Sequence, residues 1–498
     1  MLDDPHKRKE EIVDNLAPTI ITEPLRSRLN ESCLARLATP PRFDIIIEAN
    51  YAYAGGISKA RGAIIALVAE IAGSDALSRN QIQPSRSYVF ASLTADQILA
   101  LARRDGSGVS DATTGRPARA IFRVWESMKI GPLTTASICT VKADAAQRAY
   151  GACGKGIVWA IVDSGIQADH PHFSKYQNLI LPAAIADAHK SFVPGCDPRS
   201  DPFGHGTHVA GIVAGGSRDA IPQAACQAPD QSGNAQFVLK DVPGIKGMAP
   251  TCKLVSLQVL GANGNGDATS LIQALEYVEL LNDYGRKVVV HGLNISAGYP
   301  FDPRWYGCGQ TPVCKAVDRL VLQGVVVVVA AGNTGYVTTM VNAGAGTVGS
   351  SQAGQLMSVN DPGNADLAIT VGSTDREKPH QYGVSYFSSK GPTSDGRSKP
   401  DVIAPGESII SAATGQSKLK VPPSAATQSF DYIEDTGTSM AAPHVSGIIA
   451  GFLSVRPEFI GKALEISELI RQSAMSLKRD PNLQGRGLVD MMNLLQSV

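Results

Sequence analysis

The stretch IVWAIVDSGI, Ile157 to Ile166, decides the fold. An unbroken apolar run ends in an aspartate and a turn-forming Ser-Gly, so it reads as a short strand buried on both faces. Outward from it the pattern recurs in CKLVSLQVL (252–260), KVVVHGLNIS (287–296), GVVVVVAAGN (324–333) and LAITVGS (367–373). Helical spacing fills the gaps at Thr269 to Asn282 and Lys315 to Gln323. Strands apolar on both faces and joined by helices predict an α/β fold, a parallel sheet with helices on both faces. Functional residues of such sheets gather at the carboxyl ends of strands. Asp163 ends the first strand, Ser296 the third and Asn333 the fourth.

Two more segments carry polar residues among glycines: GHGTHVAG (Gly204–Gly211), with His205, and GTSMAAPHVSG (Gly437–Gly447), with Ser439. Small neighbours leave a reactive atom uncovered and let another backbone come close. A serine hydroxyl is a weak nucleophile unless an imidazole takes its proton and a carboxylate orients that imidazole. Asp163, His205 and Ser439 supply these three groups. The run Met440 to Ile449 is helix-compatible, and a helix starting at Ser439 aims free N–H groups at a developing oxyanion.

In residues and order the three segments resemble the subtilisin-like serine peptidases, the subtilases. The resemblance implies a peptidase with Ser439 as nucleophile, His205 as general base, Asp163 orienting it, and Asn333 of AAGN as second oxyanion donor. His208 and His444 are expected as packing histidines. Substrate is expected as an extended strand between one edge at Val259, Leu260 and Gly261 and another at Ser296, Ala297 and Gly298. Ala331 and Gly332 are expected to line the pocket for the side chain before the cut bond. The insertion Tyr299 to Cys314 departs from the family pattern; its Asp302 and Arg304 are expected to be solvated loop charges, the alternative being that one of them reaches over the pocket and resets its preference. Many subtilases bind calcium through an aspartate just after the DSGI-type motif. Here DSGIQADHPHF places His172 there, and an insertion between about Gly216 and Met248 replaces the expected calcium loop. An imidazole suits a hard, oxygen-seeking cation poorly, so no metal or other cofactor is expected.

Ahead of the catalytic region, FDIIIEA, Ser58 to Ala72, SYVFASL, TADQILALARR (capped by Thr94) and RAIFRVWES read as strand, helix, strand, helix, strand. This small α+β unit, residues 41–127, resembles the ferredoxin-like pro-domain of subtilases, which implies an inhibitor and folding aid acting in cis. Residues 1–40 read as a loosely ordered lead-in, and 128–498 as the catalytic domain. Cleavage is expected in the connector Met128 to Thr135.

The chain has 498 residues, 45 basic and 45 acidic, a balance that offers no field for nucleic acid or an anionic membrane. Its N-terminus is charged and lacks an apolar signal core, giving a cytoplasmic expectation. GVVVVVAA is too short to span a bilayer. Of eight cysteines, Cys308 and Cys314 are the most plausible pair, although a reducing cytosol keeps thiols free. The same residues leave open a peptide ligase or cyclase working through the same acyl-enzyme, and an inactive interaction scaffold.

Overall fold

The computed structural model describes residues 17–22, 25, 26, 29, 40–81, 85, 87–105, 119–126, 136–229, 235–302, 304, 307–342, 348–426 and 428–498. The chain divides into two compact units, Met1–Gly131 and Pro132–Val498.

In the first unit, β1 (Arg42–Ala49), α1 (Gly56–Ala72), β2 (Tyr88–Thr94), α2 (Ala95–Arg104) and β3 (Ile121–Glu126) follow the expected alternation. The sheet runs β2-β1-β3, antiparallel throughout. Along β1 the buried side chains are Phe43, Ile45, Ile47 and Ala49, every second residue, so one face meets the helices. Thr94 and Gln97 form a reciprocal capping box at the start of α2. Ile20, Ile21, Leu25 and Leu29, from the segment expected to be loose, are buried in this core. Three strands are present among the described residues, one fewer than a ferredoxin-like fold carries. The connector Met128 to Thr135 lies outside the described residues.

The second unit is built on β4 (Val158–Asp163), β5 (Lys190–Ser191), β8 (Lys253–Gln258), β9 (Gly292–Ile295), β10 (Val326–Ala330), β13 (Ile369–Asp375) and β14 (Val402–Glu407). Their order is β14-β13-β10-β9-β4-β8-β5, all parallel. The chain lays β5 and β8 on one side of β4 and then crosses to build β9 and the rest on the other. That reversal opens a crevice beyond the carboxyl end of β4, where Asp163 sits. Helices α3 (His205–Val213) and α6 (Thr438–Val455) pack on each other and against the sheet, while α4 (Ala268–Leu281) and α5 (Pro312–Leu322) form a second helical layer. Val325 to Val329 and Trp159 are almost wholly buried between layers.

The parallel sheet with helices on both faces follows the sequence expectation, with local differences. KVVVHGLNIS forms a strand only over Gly292–Ile295. Before it, the Asn282 side chain accepts from Val289 N (2.9 Å) and Val290 N (2.8 Å) and donates to Val290 O (2.8 Å), so those backbone groups are taken by an asparagine rather than a neighbouring strand. Two hairpins were unmarked in the sequence. β6 (Gln223–Pro229) and β7 (Ala235–Asp241) join β15 (Ile409–Ala412) and β16 (Tyr432–Asp435) in the order β15-β16-β6-β7, and β11 (Tyr336–Asn342) pairs with β12 (Val348–Gly354). By length and composition α6 could cross a bilayer, yet 83% of it is buried within the unit, where it serves as the core helix. All seven described cysteines are free, Cys308 and Cys314 among them, and Cys33 lies outside the described residues.

Candidate active site

Asp163, the last residue of β4, is buried, and its Oδ1 accepts from Ser164 N and from His205 Nδ1, each at 2.8 Å. A carboxylate only accepts, so His205 Nδ1 carries the proton and Nε2 is the basic nitrogen. Burial disfavours the charged imidazole, but Asp163 beside it outweighs that, and the net result raises the His205 pKa above its ordinary value. The ring remains 21% exposed, facing the cleft.

His205 opens α3, and two features bring that helix against β4. A Cβ on Gly206 would lie 2.2 Å from Gly165 O, so only glycine permits the approach. The other is Asp201, fully buried, which sequence reading missed. Its carboxylate accepts from Ser164 Oγ (2.9 Å), Gly204 N (2.8 Å), Thr207 N (2.8 Å) and Thr207 Oγ1 (2.7 Å), while Ser164 Oγ accepts from Gly206 N (2.9 Å). One carboxylate thus caps the helix bearing His205 and holds the residue next to Asp163. Burial pushes its carboxyl pKa up, against the hydrogen bonds from Thr207, Gly204 and Ser164. Asp201 reaches the helix from the preceding loop, three residues ahead of the N-cap position Gly204, so neither periodicity nor the usual cap position marks it in the sequence.

Ser439 is the second residue of α6. Its hydroxyl donates to Ser296 O at 3.0 Å, and Ser296 Oγ donates back to Ser439 O at 2.9 Å. The second bond follows from Pro443, which has no N–H for the carbonyl four residues earlier. Asn294 Nδ2 orients Ser296 Oγ (2.8 Å), and Ser446 Oγ holds Asn294 Oδ1 (2.9 Å). Asn333 Oδ1 accepts from Thr438 N (2.9 Å) and Thr438 Oγ1 (3.0 Å), which fixes the amide and leaves Nδ2 as a donor in the cleft.

These side chains meet in an open cleft of about 640 Å³. Its walls include the expected Val259, Leu260, Ser296, Ala297, Gly298 and Gly332, together with His205, Asn333 and Ser439. Two expected residues lie off the walls of this cleft. Ala331 is fully buried, and Ala330 lines the cleft with Gly332, because successive residues of an extended chain point to opposite sides. Gly261 is not among the lining residues, whereas Phe203, Thr334 and Asn360, which were not anticipated, are. Asp302 and Arg304 pair with each other in the loop.

His208 and His444 are buried neutral rings held at backbone carbonyls, His208 Nε2 at Ile433 O (3.1 Å) and His444 Nδ1 at Met440 O (2.8 Å), and burial lowers both to about 4. His172 is fully buried too. Its Nε2 lies 3.1 Å from both Gly211 O and Ala214 O, and burial with neighbouring His170 brings its pKa down to about 3. Carbonyls only accept, so the proton of Nε2 points to them, and the ring itself offers a hard cation no oxygen ligand.

A profile of the subtilase family matches residues 154–487, within the second unit. Among curated relatives, the serine protease AprX of Bacillus subtilis (strain 168) is 29% identical over 348 residues, 68% of this chain and 66% of its own length. Subtilisin DY of Bacillus licheniformis is 28% identical over 351 residues, 70% of this chain and 94% of its own. Subtilisin Savinase of Lederbergia lenta is 29% identical over 357 residues, 71% and 95%. The chain belongs to the subtilase family, the S8 family of subtilisin-like serine endopeptidases, which are hydrolases.

Proposed function

We propose that this chain is a serine endopeptidase working through Asp163, His205 and Ser439 and an acyl-enzyme. The observation that carries this reading is the Asp163–His205 bond of 2.8 Å at a cleft where Ser439 and the Asn333 amide converge. An extended peptide lies along Ser296 to Gly298 and Val259 to Leu260, and its N–H takes the Ser296 carbonyl. This releases the Ser439 hydroxyl, which turns to His205. Nε2 takes the proton as Oγ bonds to the scissile carbonyl carbon. The carbonyl oxygen becomes an oxyanion held by Asn333 Nδ2–H and the Ser439 N–H at the start of α6. Collapse breaks the C–N bond, His205 returns its proton to the departing amine, and water delivered by the same base hydrolyses the ester.

The first unit acts on this reading as a pro-domain in cis, cut from the second in the connector 128–135. Cleavage-site profiling on a peptide library tests the activity. Hydrolysis at internal bonds supports it, while products formed only with an added amine nucleophile indicate a ligase, and no turnover with no labelling of Ser439 indicates an inactive scaffold.

A further inference from the structure

The His172 ring touches three segments that each lead to a proposed catalytic residue. It stands in the one-turn helix Pro171–Ser174 that follows β4 and Asp163. Its Nε2, at 3.1 Å from Gly211 O and from Ala214 O, closes the far end of α3, the helix that His205 opens. Carbonyls accept and do not donate, so Nε2 bears the proton and Nδ1 is left as an acceptor. Nδ1 faces Tyr432 Oη at 3.3 Å, which then donates to it, and Tyr432 begins β16, the strand that runs into Ser439. The last carbonyls of a helix have no intrahelical partner, and here the imidazole supplies one. Space for the ring comes from Gly215, at φ 94°, where a Cβ would fall 2.4 Å from His172 Cδ2. Phe173 and Tyr432 pack edge-on at ring-centroid distances of 5.3 and 5.6 Å.

We infer that His172 is a positioning residue whose neutral imidazole fastens together the three elements bearing Asp163, His205 and Ser439, where the family pattern uses a bound cation. The inference rests on the triad reading for its consequence in catalysis, but the fastening itself is measurable without any activity. Glutamine can donate to the same carbonyls, so His172→Gln is the conservative variant, and His172→Ala removes the donor.

The test is amide hydrogen exchange in the full chain carrying Ser439→Ala, which prevents self-digestion. Adding His172→Ala should speed exchange at least about tenfold in peptides covering 164–174, 205–214 and 432–439 together, His172→Gln should restore most of the protection, and EDTA should leave the His172 protein unchanged. With Ser439 present, His172→Ala should lower kcat per titrated active site while leaving KM within about twofold, the pattern of misplaced catalytic groups in an intact binding cleft. Faster exchange confined to 170–176, an unchanged kcat per titrated site, or an EDTA effect on the His172 protein in the same three peptides would each overturn the inference. Should wild type hydrolyse no peptide, the proposed function fails, while the exchange comparison still decides whether His172 is the fastener.

Discussion

Ser439 offers the sharpest single-residue prediction. Ser439→Ala removes one oxygen whose native bond is to the Ser296 carbonyl, so hydrolysis should vanish while the melting temperature stays put. Turnover within about tenfold of wild type would show that another nucleophile acts. Asn333→Ala should slow kcat roughly a hundred- to a thousandfold, a figure taken from loss of the matching donor in a subtilisin rather than from this cleft. An unaltered kcat would place the oxyanion elsewhere. The residues of the candidate triad were readable because each sits in a short contiguous motif whose neighbours are themselves constrained, Gly206 by the approach of β4 and Pro443 by the freed Ser439 carbonyl. Asp201, Thr334 and Asn360 were not, because they reach the site on loops whose place is set by tertiary packing, where no periodicity points. That Ala330 rather than Ala331 faces the cleft was not legible either, because the sequence shows where a strand ends but not which side its last residues face.

At the scale of elements, the clamp between β4 and α3 should be visible in the pH profile. Asp163 and, more weakly, Asp435 and then Asp201 stabilise the charged form of His205 against its burial, so the acidic limb of kcat/KM should lie above the ordinary imidazole value of 6.5. Asp201→Asn should move that limb downward and lower kcat, with KM little changed. A limb that stays in place would show that Asp201 contributes nothing to the electrostatics of His205. The buried histidines between α3, α6 and the β4 loop make a second prediction. Neutral His172, His208 and His444 protonate in the fold only near 3 to 4, whereas the unfolded chain takes protons near 6.5. Their stabilising contribution is therefore complete above pH 6.5 and is lost as the pH falls toward 4, by up to about 1.4 kcal/mol per pH unit for each ring. His205 and the buried Asp201, both raised, work the other way, while His170, His189 and His291, lowered by burial, add to the trend. Calorimetry of the Ser439→Ala protein should show a melting temperature falling steadily from pH 7 to 4.5, and a flat profile would contradict it. Strands β4, β8, β10 and β13 were legible as apolar runs, whereas hairpin β6–β7 was not. QAACQAP and AQFVLKD lack clean alternation, and their pairing with β16 is a long-range contact that local pattern does not encode.

The molecule as a whole comprises two units with separate cores, and the family match covers the second. If the first is a pro-domain, wild type should separate into fragments of about 130 and about 365 residues at a rate independent of its concentration, since a tethered bond is presented intramolecularly. The Ser439→Ala chain should stay whole. A wild-type chain that is intact and fully active would make the first unit a permanent accessory. The fold class of the second unit was plain in the sequence because alternating apolar strands and helices admit few architectures. The central claim, that Ser439 is made nucleophilic by His205 and Asp163, is tested most directly by a fluorophosphonate probe followed by peptide mass mapping. The account predicts rapid, single-site labelling of Ser439 in wild type, and labelling at least about a hundredfold slower in His205→Ala. Labelling at another residue, or equal rates in the two proteins, would contradict it.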